Sequence, residues 1–367
     1  MGSMMERKAR SEVFSLKPYV PGKPVEEVER ELGISGVIKL ASNENPLGPS
    51  PLAVARVQEA LKQLNIYPDG ACYYLRRALA EHYGFSEDSF LVGNGSDELL
   101  RLITETFVGP GDEVLYGVPS FSEYGFMALI MGGVCVEVPL KDMRFDLPSM
   151  LDRITDKTKL VYICNPNNPT GTITGRKETD QFMKSLADDV LVIFDEAYYE
   201  YVTDKDYVSG LEYLSQGRKV IVLRTFSKIY GLAGLRIGYG ITTPEIAGLV
   251  NRVREPFNVN LLAQTAAIGA LSDKEHLEKS REVNIQGRDF LYREFSRMGL
   301  EYVPTEANFI FVDLKTDCRR VFQALLKEGV IVRTGDIFGY PTYIRVTIGK
   351  PEENRRFIAA LERVLQA

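Results

Sequence analysis

Histidine and cysteine are scarce in this chain of 367 residues, which has two histidines and four cysteines. His82 and His276 have no second histidine or cysteine at metal-ligand spacing, and no CxxC pair occurs. We therefore expect neither a metal site nor a disulfide framework. The four thiols expected to be free and buried are those of Cys72, Cys135, Cys164 and Cys318.

Three common catalytic motifs are also absent. The sequence contains no HExxH zinc motif, no GxSxG nucleophile elbow and no GxxxxGK[ST] phosphate loop. The usual metalloprotease, serine-hydrolase and P-loop classes are therefore excluded on their motifs. Any chemistry must use other side chains or a cofactor.

Long apolar runs and basic clusters are missing as well. The longest nearly apolar run, 126–136, is far below the roughly 20 residues that cross a bilayer. The net charge is -6, and the 44 Lys and Arg residues are scattered among 50 Asp and Glu residues. This charge pattern does not indicate a surface that binds nucleic acid or an anionic membrane. Because the N-terminus also has no apolar signal-peptide core, we expect a cytoplasmic protein with small-molecule partners.

Short β-rich runs alternate with longer amphipathic runs through the middle of the chain. At roughly 150 residues per domain, the length allows about two domains. The alternation predicts an α/β protein whose large domain has three layers, α/β/α, around a mainly parallel seven-stranded sheet. The predicted strands are Ser89–Val92, Glu113–Tyr116, Gly133–Val138, Leu160–Cys164, Val190–Phe194, Val220–Arg224 and Ile237–Ile241. Helices are predicted between them, among them 97–107, 121–131 and 177–187.

The pattern changes near Asn260. A long helical region, 261–298, precedes predicted strands at 308–312, 330–333 and 343–347, with a helix over 318–328. We expect a smaller α+β domain here. The predicted division is an N-terminal arm, 1–40, that packs with the small domain or a partner subunit, a large domain, 41–260, and a small domain, 261–367.

Polar side chains follow three predicted strands of the sheet. Asn165, Asp195 and Lys228 come shortly after the strands that begin at residues 160, 190 and 220. Ligands of open α/β sheets bind outside the carboxyl ends of the strands. The sequence therefore predicts that an amide, a carboxylate and a lysine share one edge of the sheet.

The segment around Lys228 indicates a specific chemistry. A lysine that loses solvation has a lowered pKa and can act as a Schiff-base nucleophile and proton carrier. Hydroxyls at Thr225 and Ser227, with Arg236, could hold a phosphate nearby. Asp195 could supply the anionic partner that a pyridinium nitrogen requires.

The loop 93–98, Gly-Asn-Gly-Ser-Asp-Glu, has two interpretations. Its small residues and the following helix start suit a phosphate. The dinucleotide pattern GxGxxG fails because Glu98 holds the sixth position. The loop could equally be an ordinary helix start, with Ser96 or Asp97 as the capping residue and no ligand.

Together these segments resemble the class I and II aminotransferases, pyridoxal-phosphate enzymes of fold type I. The resemblance rests on Asn165–Gly171 (NPNNPTG), Asp195–Tyr198 (DEAY) and Ser227-Lys228 with Arg236 eight positions after the lysine. It extends from Tyr19 to Arg345. It implies pyridoxal 5'-phosphate as cofactor and a homodimer whose subunits share active sites.

The resemblance also implies roles for individual residues. Lys228 would form the Schiff base with the cofactor, and Asp195 would pair with the ring nitrogen. Asn165 and Tyr198 would bind the 3-hydroxyl, and Phe121 would stack on the ring, where many relatives have tyrosine. The phosphate contacts would come from Gly95, Ser96, Asp97, Thr225, Ser227 and Arg236, with Tyr67 reaching across from the second subunit.

For the substrate, segments 42–48, 67–69 and 93–98 are most similar to family members that transfer the amino group of L-histidinol phosphate to 2-oxoglutarate. Arg345 would bind the carboxylate of glutamate or 2-oxoglutarate, because its planar fork suits bidentate carboxylate binding. Arg333 and Tyr19 would lie near the substrate phosphate. An aromatic or broad-range aminotransferase and a threonine-phosphate decarboxylase-like enzyme remain alternatives.

Overall fold

The computed structural model of the protein describes residues 6–16 and 22–366. In them the chain forms thirteen strands and thirteen α-helices. The strands are β1 (Ile38–Lys39), β2 (Phe90–Gly93), β3 (Glu113–Val118), β4 (Val134–Pro139), β5 (Thr158–Cys164), β6 (Leu191–Asp195), β7 (Val220–Thr225), β8 (Gly238–Ile241), β9 (Glu301–Val303), β10 (Phe309–Asp313), β11 (Val330–Ile331), β12 (Arg333–Thr334) and β13 (Tyr343–Thr347). The helices are α1 (Val25–Leu32), α2 (Pro51–Ala60), α3 (Tyr73–Tyr83), α4 (Ser96–Phe107), α5 (Glu123–Ile130), α6 (Leu147–Leu151), α7 (Arg176–Ser185), α8 (Gly210–Ser215), α9 (Pro244–Val250), α10 (Leu261–Ser272), α11 (Lys274–Arg297), α12 (Cys318–Lys327) and α13 (Pro351–Gln366).

A seven-stranded sheet forms the centre of the molecule, with strand order β2-β8-β7-β6-β5-β3-β4. Strand β8 pairs antiparallel with both of its neighbours, whereas the other pairings are parallel. All seven strands predicted for this sheet form. The predicted α/β class with a mainly parallel seven-stranded sheet is therefore confirmed.

The central strands β5, β6 and β7 are buried almost throughout because their sequences are nearly continuous apolar runs. Every residue of β6 and β7 is buried, and in β5 only Lys159 is exposed. Strands buried on both faces are typical of a parallel sheet covered by helices on each side. Because β5, β6 and β7 are parallel, their carboxyl ends lie together at one edge of the sheet.

A second sheet has the order β12-β13-β10-β9 and is antiparallel throughout. Residues of β10 and β13 form a separate apolar core with α11, α12 and α13. This is the smaller α+β unit that the sequence predicts. Helix α10, in contrast, packs on α2 and α3 beside the large sheet. The domain limits at residues 40 and 260 stay predictions.

The N-terminal segment makes two different contacts. The 3-10 helix Ser11–Ser15 packs on α5, and Arg10 Nη2 donates a hydrogen bond of 2.6 Å to the carbonyl oxygen of Ile130. Further along, β1 pairs parallel with β11, and Val28 of α1 packs beside Leu326 of α12. The segment 6–16 therefore lies against the large sheet's helices, and only 25–39 joins the small unit.

Two predicted elements are divided in the structure. The helical region 261–298 breaks at Asp273, whose Oδ1 accepts a hydrogen bond of 3.1 Å from the amide of His276 and so caps a new helix. The predicted strand 330–333 consists of β11 and β12, which pair with different partners, β1 and β13. The predicted helix 121–131 begins two residues later, at Glu123.

The four thiols are free, as expected, but they are not equally buried. Cys72, Cys164 and Cys318 are buried, whereas Cys135 is half-buried. These four cysteines therefore form no disulfide bond. None of the helices in 6–16 and 22–366 is both long enough and apolar enough to span a membrane.

Candidate active site

A cavity of about 470 Å³ lies at the carboxyl ends of β5, β6 and β7 and extends to the second sheet. It brings together most of the residues that the sequence singles out. Those lining it are Ser96, Asp97, Phe121, Asp195, Tyr198, Thr225, Ser227, Lys228, Arg236, Arg333 and Arg345. The expected convergence of strand ends is thus present in the structure.

Lys228 follows β7 by three residues and reaches into the cavity. Its Nζ donates a hydrogen bond of 3.3 Å to the carbonyl oxygen of Ser42 and lies 5.7 Å from the ring centroid of Tyr198. Burial, followed by the nearby charge of Arg345, lowers the pKa of Lys228 to about 8. A substantial fraction of the amine is therefore neutral near physiological pH and able to act as a nucleophile or base.

Asp195 is the last residue of β6, and its carboxylate is buried. Oδ2 accepts a hydrogen bond of 2.7 Å from the hydroxyl of Tyr124, and Oδ1 accepts one of 3.2 Å from the amide of Ala197. Burial raises the pKa of Asp195 to about 6, while these two donors favour the ionised form. The site therefore offers a fixed carboxylate to a cationic or N–H group.

Asn165 lies beside Asp195, since its amide donates a hydrogen bond of 2.9 Å to the carbonyl oxygen of Asp195. The side-chain Oδ1 accepts a hydrogen bond of 3.0 Å from the amide of Thr174. Among the described residues, the buried Nδ2 has no partner. A buried donor without an acceptor is costly, so this amide group suits an acceptor on a bound molecule.

Tyr198 lines the cavity. Its hydroxyl oxygen accepts a hydrogen bond of 2.9 Å from Nδ2 of Asn43, and its ring packs edge-on against Phe309 at 5.1 Å between centroids. Burial raises the pKa of Tyr198 well above its ordinary value. The hydroxyl therefore keeps its proton and can donate it to a ligand oxygen.

The start of α4 and the turn after β7 form one end of the cavity, and this end is suited to an anion. The first amides of α4 belong to Ser96 and Asp97, and amides at a helix start favour anions. Arg236 adds positive charge, with its Nη2 2.8 Å from Oδ2 of Asp97. The Oγ1 of Thr225 accepts a hydrogen bond of 3.0 Å from the amide of Ser227, which stabilises the turn after β7.

Two glycines allow these segments to approach each other. Gly95 is the residue before α4 and has φ +82°, and a Cβ there would lie 2.5 Å from Nη2 of Arg236. A Cβ at Gly238 would lie 2.4 Å from the amide nitrogen of Ser96. The expected side-chain cap at Ser96 or Asp97 is wrong, because Gly95 occupies the cap position and no side chain accepts there.

Phe121 lines the cavity from the loop between β3 and α5. Its ring packs edge-on against Tyr124, with 5.8 Å between centroids. An aromatic face in this position can cover a flat ligand ring. Tyr124 therefore contacts two groups of the site, the Asp195 carboxylate and the Phe121 ring.

Arg345 and Arg333 enter the cavity from the second sheet. Arg345 is buried and donates hydrogen bonds to Oδ1 of Asn168 and, at 2.7 Å, to the carbonyl oxygen of Ala41. Arg333 is its partner in the antiparallel register of β12 and β13. Two guanidinium groups on adjacent strands make this wall suitable for anionic substrate groups.

Three predicted residues are not among those that line this cavity: Gly95 and Asn165, each adjacent in sequence to a lining residue, and Tyr67. Tyr67 is 80% exposed and stacks on Phe257, with 4.9 Å between ring centroids, outside its own chain's cavity. Tyr19 lies outside the described residues. A role for Tyr67 at an active site therefore requires a second chain.

Sequence reasoning missed several side chains that shape the site. Tyr124 does not belong to any recognisable motif. Only its position three residues after Phe121 could have indicated that it lies at the site. Asn43 lies in segment 42–48, but the sequence pattern gives it no individual role. In the described parts of the chain, no three His, Cys, Asp or Glu side chains are grouped so as to hold a metal ion.

Comparison with known proteins agrees with this geometry. Residues 35–361 match the family described as aminotransferase class I and II. The chain is 58% identical to histidinol-phosphate aminotransferase of Moorella thermoacetica over 98% of this chain and 93% of that protein. It is 48% identical to histidinol-phosphate aminotransferase 2 of Carboxydothermus hydrogenoformans over 97% of this chain and 99% of that protein.

A solved structure is similar over nearly the whole chain. Histidinol-phosphate aminotransferase from Sinorhizobium meliloti, in complex with pyridoxal-5'-phosphate, superposes with a TM-score of 0.90 and 30% identity. The match covers 98% of both chains. The likeness therefore extends to both sheets and to the cavity between them.

Proposed function

The chain belongs to the class I and II aminotransferases, and from that premise we propose that it transfers the amino group of L-histidinol phosphate to 2-oxoglutarate. The products are imidazole-acetol phosphate and L-glutamate. The observation that carries the proposal is the cavity in which a lysine of lowered pKa, a buried carboxylate and an anion-binding helix start meet. Relatives named for this reaction support the choice of substrate.

We propose pyridoxal 5'-phosphate as the cofactor. The unpartnered Nδ2 of Asn165 fits the ring's 3-oxygen, and Asp195 fits a protonated ring nitrogen. The phosphate fits the amides at the start of α4 with Arg236, where Gly95 leaves room for the guanidinium. When bound, the cofactor supplies an electron sink for the bond electrons that are released at the substrate α-carbon.

In this proposal Lys228 holds the cofactor and moves the proton. The neutral Nζ would take the proton from the α-carbon of the bound amino donor and deliver it to the cofactor carbon that is bonded to the transferred nitrogen. A pKa of about 8 suits both steps, because general bases work best when their pKa is close to the working pH. The Ser42 carbonyl, 3.3 Å away, orients the amine when it is not bonded elsewhere.

Asp195 keeps its partner nitrogen protonated, and Tyr124 keeps Asp195 ionised. The 2.7 Å hydrogen bond from Tyr124 offsets part of the burial that raises the pKa of Asp195. Phe121 covers the ring, while Tyr198 and Asn165 fix its oxygen. Thr225 and Ser227 complete the phosphate contacts at the end of β7.

For the substrate, we assign the α-carboxylate of glutamate and 2-oxoglutarate to Arg345. We assign the phosphate of the amino donor to Arg333 and, as a prediction outside the described residues, to Tyr19. Both arginines line the same cavity as Lys228. One wall can therefore serve two anionic groups in alternate half-reactions.

We propose a homodimer because Tyr67 lies on an exposed apolar surface outside its own cavity. Ile66 is 60% and Leu64 is 62% exposed beside Tyr67, and Phe257 is 46% exposed. Such a patch marks an interaction surface. In the dimer, Tyr67 of the partner subunit would reach the cofactor phosphate.

The proposal is tested by incubating the protein with pyridoxal 5'-phosphate, L-histidinol phosphate and 2-oxoglutarate. We expect one glutamate for each imidazole-acetol phosphate, and no turnover without 2-oxoglutarate. Release of carbon dioxide from a phosphorylated amino acid, independent of 2-oxoglutarate, would instead identify a decarboxylase. Failure to form glutamate from L-histidinol phosphate would overturn the proposal.

A further inference from the structure

Four acidic side chains line the cavity, Glu44, Asp97, Glu123 and Asp195. Glu44 accepts a hydrogen bond from Lys39, and Asp97 accepts one from Arg236. Asp195 accepts one from Tyr124. Glu123 differs, since no hydrogen bond or ion pair to its carboxylate occurs in the part of the chain that the structure describes. Its only charged neighbour of note is Asp97, which repels it.

Glu123 is the first residue of α5, two positions after Phe121. Its side chain is half-buried, and burial followed by the charge of Asp97 raises its pKa. A half-buried carboxylate without a donor is unfavourable. Since the side chain lines the cavity, a bound molecule can supply the missing donor.

The proposed amino donor has two chemically different groups on the carbons next to its α-carbon. One is an anionic phosphate ester and the other is an imidazole ring, which carries at least one N–H at any pH of interest. Arg333 on β12 is the arginine assigned above to the phosphate. Glu123 enters the cavity from α5, a helix that packs on the large sheet, and its carboxylate suits the N–H of the ring.

We propose that the Glu123 carboxylate accepts a hydrogen bond from the imidazole N–H of the amino donor, and that it thereby favours this ring over a phenyl ring. The inference rests on the proposed function and names a specificity-determining contact within it. A phenyl ring has no donor, so it leaves the carboxylate desolvated and unpaired. Sites that hydrogen-bond a substrate group discriminate strongly against analogues that lack it.

A structural role for Glu123 is the competing explanation. An acidic residue in the first turn of a helix interacts favourably with the helix dipole. Removal of such an interaction lowers thermal stability. It does not change the relative rates for two amino donors.

The experiment compares Glu123→Leu, Glu123→Gln and the wild type, each loaded with cofactor. For Glu123→Leu we expect kcat/KM for L-histidinol phosphate to fall about 10- to 150-fold, mainly through KM, because a hydrogen bond to a charged group is lost. The value for L-phenylalanine should stay unchanged or rise. Glu123→Gln keeps an acceptor oxygen and should recover part of the loss, and the exposed Glu178→Leu on α7 is the matched control.

An unchanged ratio of kcat/KM for the two donors in Glu123→Leu overturns the inference, and a lowered unfolding midpoint would then assign Glu123 to the helix alone. A wild-type protein without activity toward L-histidinol phosphate overturns the proposed function itself. The wild-type measurement thus separates the two failures.

Discussion

Arg333 of β12 and Arg345 of β13 are direct partners across an antiparallel strand pair, and both line the cavity. Like charges directly opposite each other destabilise a sheet. The anionic substrate groups that we propose for the cavity would account for this placement. The same two arginines would therefore destabilise the sheet and bind the anionic substrate groups.

This relationship predicts different effects for the two arginines. Arg345→Gln should raise KM for 2-oxoglutarate about 10- to 150-fold, because it removes charge-assisted hydrogen bonds to a carboxylate. Arg333→Gln should raise KM mainly for the phosphorylated amino donor. Steady-state kinetics with each substrate varied in turn checks this. Equal effects of both variants on both substrates would contradict the division of roles.

The Tyr124–Asp195 hydrogen bond predicts a pH effect. Asp195 must be ionised to pair with a protonated ring nitrogen, so cofactor affinity should fall as pH decreases through the pKa of about 6. Tyr124→Phe removes a donor that favours the carboxylate, which raises this pKa. We expect the loss of affinity to begin about one pH unit higher, equivalent to about 1.4 kcal/mol.

The measurement is the dissociation constant of pyridoxal 5'-phosphate between pH 5 and 8, at pH values chosen to bracket the expected transition. Tyr213→Phe is the control, because its hydroxyl donates to Asp180 and not to the site. An identical pH profile for Tyr124→Phe and the wild type would exclude the proposed role of this bond.

The close packing of Gly238 on the amide of Ser96 predicts a phosphate-specific defect. A Cβ at Gly238 must displace the start of α4. We expect Gly238→Ala to weaken binding of pyridoxal 5'-phosphate about tenfold or more, and to affect pyridoxal, which has no phosphate, much less. Gly248→Ala, where nothing lies within 4 Å, is the control. Equal losses for both ligands would place the phosphate elsewhere.

Shared active sites can be tested by mixing two inactive variants. In the proposed homodimer, we expect Tyr67→Ala and Lys228→Ala each to impair both sites. A mixed dimer should regain one site that has native Lys228 and native Tyr67 of the partner subunit. Partial activity should therefore return after mixing under dissociating conditions. Lys228→Ala mixed with Asp195→Ala should stay inactive, because both residues act within one chain. No recovery in the first mixture contradicts the role of Tyr67.

Much of the large sheet was predictable because its strands are apolar runs that end at polar turns. Parallel strands bring their carboxyl ends to one edge, so the presence of Asp195 and Lys228 at the same edge could be predicted from the strands that they follow. The cap of α4 was not predictable in the same way. It depends on the positive φ of Gly95 and on the space that Arg236 needs, which only the assembled structure shows.

The remaining differences have a common cause in tertiary packing. Tyr124 reaches Asp195 because α5 packs beside the sheet, and no local pattern marks such a contact. The strand predicted at 330–333 is divided because its two halves meet different partners. Tyr67 and Tyr19 stay predictions, since the first needs a partner subunit and the second lies outside the described residues.

The measurement that tests the central claim most directly is kcat/KM for L-histidinol phosphate, L-phenylalanine and L-aspartate, each with 2-oxoglutarate as acceptor. We expect L-histidinol phosphate to be preferred by at least about tenfold, which corresponds to about 1.4 kcal/mol in transition-state binding. A preference of the same size for L-phenylalanine or L-aspartate would contradict the proposed substrate.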